Sequence, residues 1–127
     1  MFSVLQIKAQ TSIFNSLLQA HVTDKGIVNY KSFKTDEDQL DSYISYLQKT
    51  SPDNLWSENK KRAFWINAYN ALTVQLVLKN YPLESIKDIK DPWEIKCFNT
   101  QEKSYTLGEI EHEISIKFRS FRNRISF

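Results

Sequence analysis

One stretch of the chain, residues 63–78, constrains the fold more than any other because it is apolar on nearly every side. A helix that is apolar all round has to be covered by neighbouring elements on most of its surface. Ser57 is a suitable N-cap for this helix and Tyr81-Pro82 stops it, so we expect it to extend from about residue 57 to residue 80. The rest of the domain must pack around this central helix.

Upstream of the central helix, the sequence predicts two more helices and a short extended piece. Amphipathic spacing indicates a helix over residues 2–22 and another over residues 36–49. Between them, Asp24-Lys25-Gly26 gives a turn, and Ile27, Val28 and Tyr30 are expected to be extended.

Downstream, the pattern changes to shorter elements. Residues 85–89 look like one turn of helix, and residues 93–106 indicate a hairpin around Asn99-Thr100. Thr106 and Glu109 fit a capping box, so a helix should start there with Leu107, Ile110, Ile114 and Phe118 facing inward. Residues 124–127 look like the start of a strand. The predicted class is α+β, mainly α, with a helical core around one buried central helix and a small hairpin or edge sheet.

Composition agrees with a helical globular domain and argues against nucleic acid as a partner. The chain of 127 residues is 41% hydrophobic and holds only two glycines and three prolines, fewer turn residues than an all-β fold would need. The formal net charge of +2 is too small to indicate nucleic-acid binding. One basic cluster is interleaved with phenylalanines, and we interpret it as a solvated helix face: Lys117, Arg119, Arg122 and Arg124.

The single cysteine and the hydropathy pattern limit other classes. Because Cys97 is the only cysteine of the chain, an internal disulfide and a cysteine-based metal site are excluded. Cys97 precedes Phe98 in a segment that looks like a strand, which favours a small buried apolar side chain over a nucleophile. Apolar stretches are too short for a membrane span, and residues 1–10 do not form a secretory signal. The default expectation is therefore a cytoplasmic protein.

Two amides on the central helix are the first candidate site residues. Asn67 and Asn70 lie about one turn apart, so they share a face of the most apolar helix. An unsatisfied buried polar group costs about 1–3 kcal/mol, so both amides must find partners. They would either orient a catalytic side chain or substrate, or hold the backbone of a neighbouring loop.

A second polar group surrounds His112. Glu109 and His112 have a Glu-x-x-His spacing that carboxylate-bridged metal sites use, but such sites need a second pair, and the chain has none. We therefore predict no metal and no cofactor. His112 is interpreted as a general base or as a hydrogen-bonded histidine of the fold, whereas His21 is read as structural or solvated. The candidate catalytic residues are Asn67, Asn70, Glu111 and His112.

The central helix carries an asparagine-rich aromatic motif, Ala63-Phe64-Trp65-Ile66-Asn67-Ala68-Tyr69-Asn70-Ala71-Leu72-Thr73. This motif resembles the signature of family 547 among the domains of unknown function. Matching segments extend the resemblance over about residues 14–127: residues 26–30, 40–43, 81–82, 85–89, 92–93, 105–107, 110–114 and 124–127.

The resemblance implies a longer domain than this chain provides. The family continues past the last strand into a Cys-Ala-Ser element and a following Cys-Pro, which this chain does not reach. The family pattern Arg-Ile-His-Phe reads Arg124-Ile125-Ser126-Phe127 here, so Ser126 stands at the histidine position. If the family site is a Cys–His arrangement, this chain lacks the thiol and that histidine. Plant members carry the domain beside coiled coils, which suggests an interaction role as well.

These readings predict a single domain over residues 1–127 that is truncated at its C-terminus relative to the family. Its predicted function is that of an enzyme-like polar pocket with a hydrolase-like site, which lies between the helix of Asn67 and Asn70 and the helix of His112. We expect this pocket to be catalytically inactive in the truncated form. The alternative is a protein–protein interaction or scaffold module whose aromatic surface docks a partner. The partner would be an unidentified small molecule or protein, and the C-terminal end allows self-association.

Overall fold

The computed structural model describes residues 4–50, 52–82 and 88–115, with side chains from residue 12 to residue 114 within those ranges. Helices dominate, and two antiparallel strands form a small sheet, which confirms the predicted α+β, mainly α, class. The named elements are α1 (Val4–His21), α2 (Tyr30–Phe33), α3 (Glu37–Lys49), α4 (Glu58–Lys79), β1 (Lys96–Asn99), β2 (Ser104–Thr106) and α5 (Leu107–Ser115).

The predicted central helix is α4. Ser57 caps it as expected, because the Ser57 Oγ accepts a hydrogen bond from the backbone N–H of Lys60 at 3.1 Å. Nine residues of α4 are buried, against five of α3, and α3 and α5 pack on different sides of it. The prediction of a helix covered by its neighbours is therefore confirmed.

Polar contacts fix α3 against the C-terminal half of α4. The Gln75 amide donates to Asp41 Oδ1 at 2.8 Å, and Lys79 Nζ donates to Asp41 Oδ2 at 3.0 Å. Phe14 of α1 stacks on Tyr43 of α3, with ring centroids 4.5 Å apart and planes 9° from parallel. Both rings are fully buried, so α1, α3 and α4 share one apolar core.

The extended piece between α1 and α3 is shorter than the sequence predicts. Val28 forms an antiparallel bridge with Val22, as expected, and Gly26 makes the turn at a φ of 83°. Tyr30, however, begins the helical turn α2, so its predicted extended conformation is wrong. The reason is Asn29, whose side chain accepts from the Ser32 N–H at 3.1 Å and caps this turn.

The hairpin and the capping box are confirmed. Strands β1 and β2 pair around residues 100–103, with a register irregularity between Lys96 and Phe98. The Thr106 N–H donates to Glu109 Oε1 and the Glu109 N–H donates to Thr106 Oγ1, both at 3.1 Å. This reciprocal pair starts α5, whose inward residues Leu107, Ile110 and Ile114 are buried as predicted.

Some predictions lie outside the described residues. These are the start of the helical turn at residues 85–87, the inward position of Phe118, the basic cluster and the strand at residues 124–127. Within the described ranges, no helix is both long and apolar enough to cross a membrane.

Candidate functional site

Glu111 joins three parts of the fold. Its Oε2 accepts a hydrogen bond from the Trp93 indole N–H at 3.1 Å and one from the Tyr69 hydroxyl at 3.5 Å. Trp93 lies in a 3-10 turn (Pro92–Glu94) before the hairpin, and Tyr69 lies on α4. The side chain of Glu111 is half-buried, so its carboxylate holds α5 against α4 and fixes the Trp93 ring.

Beside this contact is an open pocket of about 540 Å³, which we call the His112 pocket. Trp93 contributes one wall, the hairpin another, and the exposed face of α5 the third. The residues that define the pocket are Trp93, Glu94, Lys103, Tyr105, His112 and Glu113. Its volume lies in the range of about 300–1,000 Å³ that is typical of ligand sites.

One of the carboxylates at the pocket, Glu109, is already neutralised. The Lys103 ammonium contacts it directly, and Lys96 Nζ lies 3.6 Å from its Oε1. The hydrogen bond from Lys103, followed by that from the Thr106 backbone, lowers the pKa of Glu109 to about 2. Lys103 Nζ also lies 4.8 Å from the centroid of the Tyr105 ring, so a cation already rests on one aromatic wall of the pocket.

The remaining charge at the pocket is negative. Three carboxylates line it against one ammonium, and no ion pair among the described residues involves Glu94 or Glu113. Burial is the first cause of a raised pKa at Tyr105, and the negative charge of Glu113 is the second. The pocket therefore combines two aromatic walls with two carboxylates, Glu94 and Glu113, that form no ion pair within the part of the chain that the structure describes.

The two asparagines of α4 are half-buried, and Asn67 faces α3. Asn67 hydrogen-bonds the hydroxyl of Tyr43, whose pKa is raised chiefly by burial. It lines a cavity of about 150 Å³ between α3 and α4, which we call the α3–α4 cavity. The residues that line this cavity are Tyr43, Tyr46, Leu47, Thr50, Trp56, Lys60, Ala63, Phe64 and Asn67. Asn67 and His112 therefore line different pockets, and Tyr69 supplies the contact between α4 and Glu111.

His21 has partners that the sequence did not reveal. Its Nδ1 lies 2.8 Å from Ser32 Oγ and its Nε2 lies 2.7 Å from Asp36 Oδ2. The ring is buried and packs on Phe33, with centroids 4.8 Å apart. Ser32 Oγ also lies 3.2 Å from the Asn29 carbonyl oxygen. The network ties the end of α1 to α2, and it supports the structural reading of His21.

Cys97 lies in β1, outside both pockets. Burial raises the pKa of its thiol to about 11, which makes it a poor nucleophile at neutral pH. Among the described residues, no three His, Cys, Asp or Glu side chains lie close enough together to hold a metal ion.

Comparison with known families gives one match, to the model of DUF547, described as a protein of unknown function, over residues 53–125. This match covers more than half of the chain. The chain belongs to the DUF547 family. Neither the curated proteins nor the solved structures give a match.

The match includes part of the candidate site and leaves part outside. All residues that line the His112 pocket, together with Tyr69 and Glu111, lie within the matched DUF547 region. Tyr43, Tyr46 and the His21 network lie upstream of it, so the α3–α4 cavity is built partly from residues outside the match.

Proposed function

We propose that this DUF547 domain binds a ligand with a cationic amine or guanidinium group in the His112 pocket. The observation that carries the proposal is the combination, in one open pocket, of the Trp93 and Tyr105 rings with the carboxylates of Glu94 and Glu113. Aromatic faces attract cations by about 0.5–1 kcal/mol at exposed sites, and carboxylates add directional hydrogen bonds.

The side chain of Lys103 supports this choice of ligand. Its ammonium lies 4.8 Å from the centroid of the Tyr105 ring and bonds Glu109, so this surface already holds one cation by a ring and a carboxylate. We propose that a ligand cation makes the same two kinds of contact, with Trp93 and Glu113. In this proposal Glu113 and His112 contact the ligand. Glu111 does not contact it, and acts by holding the Trp93 ring through the 3.1 Å hydrogen bond.

We further propose that the pocket does not act through a covalent intermediate on a cysteine or hydroxyl side chain. Covalent catalysis needs an activated nucleophile within reach of a base. The described lining of the pocket has no thiol, and its one aliphatic hydroxyl, that of Thr106, is engaged by the Glu109 N–H in the capping box. After incubation with a p-nitrophenyl ester, mass spectrometry should therefore find no acyl group on Thr106.

The test compares butylammonium with 1-butanol, which has a similar shape and no charge. Titrations followed by NMR should show saturable shifts at Trp93, Tyr105 and Glu113 with butylammonium alone, and added salt should weaken them. Glu113→Gln should reduce affinity, whereas Asp38→Asn, which removes a charge from the exposed face of α3, should not. Equal responses to both probes, or equal losses in both variants, would contradict the proposal.

A protein–protein interaction module is the second candidate, and one observation favours it. Leu55, between α3 and α4, is 94% exposed, and its N–H is held by Asp53 Oδ1 at 2.8 Å, so an apolar side chain is presented on an ordered turn. If this surface docks a second copy, sedimentation should show a concentration-dependent dimer that Leu55→Ser abolishes. A monomer at all concentrations for both chains would argue against self-association through this surface.

A further inference from the structure

The α3–α4 cavity has properties of a second binding site, separate from the His112 pocket. Its walls are the aromatic rings of Tyr43, Tyr46, Trp56 and Phe64, and Trp56 meets Phe64 edge to face at 5.8 Å. A cavity of about 150 Å³ with apolar walls is large enough to hold a benzene-sized ring. The size and the aromatic walls therefore suit one six-membered planar ring.

A single charge marks the mouth of the cavity. Lys60 is the one charged residue in the described lining, and its Nζ lies 4.1 Å from the centroid of the Trp56 ring. No ion pair among the described residues involves Lys60, and the ion pair of Glu58 is with Lys61, at 3.7 Å. An exposed ammonium over an aromatic wall, with no ion-pair partner among the residues that the structure describes, favours an anionic group on the ligand.

Asn67 and Tyr43 add polar atoms to the apolar lining. The Asn67 amide has two donor hydrogens and a carbonyl oxygen with two lone pairs, and its bond to the Tyr43 hydroxyl uses only part of this capacity. The Tyr43 side chain is almost completely buried, so this pair is fixed in orientation. A ring substituent such as a hydroxyl would find a hydrogen-bond partner here.

From these contacts we propose that the α3–α4 cavity binds a small aromatic carboxylate, with the ring packed against Trp56 and Phe64 and the carboxylate on Lys60. This site shares no lining residue with the His112 pocket, so it does not depend on the function proposed above. In this proposal Lys60 pairs with the carboxylate of the ligand, Trp56 and Phe64 contact its ring, and Asn67 makes a polar contact.

Three probes test the proposal on the whole chain: benzoate, benzyl alcohol and acetate. We expect benzoate to bind with a Kd of about 1 mM, which is reasonable for so small a ligand, and to shift the NMR signals of Leu47, Thr50 and the Trp56 indole. Benzyl alcohol should bind more weakly because it lacks the charge, and acetate should not cause these shifts because it lacks the ring.

Variants of the protein test separately what the ring and the charge of the ligand contribute to binding. Lys60→Gln should weaken benzoate binding about fivefold, the amount expected for one exposed ion pair, and leave benzyl alcohol unchanged. Lys61→Gln is the matched control, since Lys61 does not line the cavity, and it should bind benzoate normally. Ala63→Leu should block both ring probes, and because Ala63 is exposed at the rim this variant should keep its melting temperature.

Several results would overturn the proposal. These are the absence of saturable shifts at millimolar benzoate, shifts that fall outside the cavity, or equal effects of Lys60→Gln and Lys61→Gln. Benzoate binding that survives Ala63→Leu in a folded protein would also overturn it. If a peptide with an internal phenylalanine binds here and benzoate does not, the cavity is a protein-docking site and the proposed ligand class is wrong.

Discussion

The indole N–H of Trp93 donates to the carboxylate of Glu111 across 3.1 Å, and this bond joins the turn before the hairpin to the helix after it. Eighteen residues separate the two in sequence, and β1 and β2 lie between them. The hairpin is therefore closed at its base by a side-chain contact as well as by its backbone ladder. Every property of the His112 pocket that depends on the position of Trp93 depends on Glu111.

Removing this acceptor should destabilise the domain and release the ring. A hydrogen bond to a charged group is worth about 1.5–3 kcal/mol, and Glu111 is only half-buried, so we expect Glu111→Ala to lower the free energy of unfolding by about 1.5 kcal/mol. Glu111→Gln keeps an acceptor and should cost less. Urea unfolding measures the change, and the Trp93 indole proton should exchange faster in the alanine variant. If Glu111→Ala and Trp93→Phe lower stability additively in a double-mutant cycle, the bond contributes nothing.

The stability of the domain should depend on acid pH through Glu109. The folded-state pKa is about 2, below the ordinary value of 4.5, so the contribution of this group is fully present above pH 4.5 and is lost as pH falls through about 2. When the pH falls from 4.5 to about 2, the Glu109→Gln variant should therefore lose less free energy of unfolding than the natural chain. Melting curves across this range measure the difference. Glu102→Gln, on the same hairpin and outside the capping box, should follow the natural chain.

Cys97 should react slowly in the folded protein. A thiol with a pKa of about 11 has about one-hundredth of the thiolate, at pH 8, of a thiol with the ordinary value of 9.0. Iodoacetamide should therefore label the native chain about a hundredfold more slowly than the chain in concentrated urea. Because Cys97 is the only cysteine, Cys97→Ala gives the background directly. Equal native and denatured rates would show that the thiol is not shielded.

Gly108 should not accept a side chain. A Cβ at this position would lie 3.0 Å from the backbone oxygen of Trp93, which is held in a turn by the Asp91–Glu94 hydrogen bond. Crowding costs about 1–3 kcal/mol and the gain in helix propensity is about 1 kcal/mol, so Gly108→Ala should destabilise by about 1 kcal/mol. Asn59→Ala, at an exposed position of α4, is the control for propensity alone. A Gly108→Ala chain as stable as the natural one would show that the Trp93 turn can move.

The sequence predicted the parts of this structure that depend on neighbouring residues. The cap at Ser57 and the Thr106–Glu109 box were predictable because each is a bond between residues three apart. The helical turn at Tyr30 was not predictable, because the apolar residues before it suggest a strand. The turn forms because the side chain of Asn29 accepts a hydrogen bond from the Ser32 N–H. Local signals therefore located the elements well and their junctions less well.

The candidate site was harder to predict because it depends on which way each helix faces. The polar group on α5 was found, but the partner of Glu111 on α4 is Tyr69 and not an asparagine. Hydrophobic periodicity cannot show which face of a helix points where if the helix is apolar on every side. The sequence therefore could not predict that Asn67 faces α3. The catalytic roles of Asn67, Asn70, Glu111 and His112 stay predictions. The assignment of a single domain over residues 1–127 also stays a prediction.

The His21 network has a consequence for the order in which the chain folds. Its bonds join residues 11 and 15 positions apart, whereas α4 is held to the rest by contacts such as Tyr69–Glu111 and Lys34–Leu78, 42 and 44 positions apart. Shorter loops close with a smaller loss of chain entropy, and folding slows as the mean separation of contacts rises. We therefore expect the α1–α2 corner to assemble before α4 docks onto its distant partners.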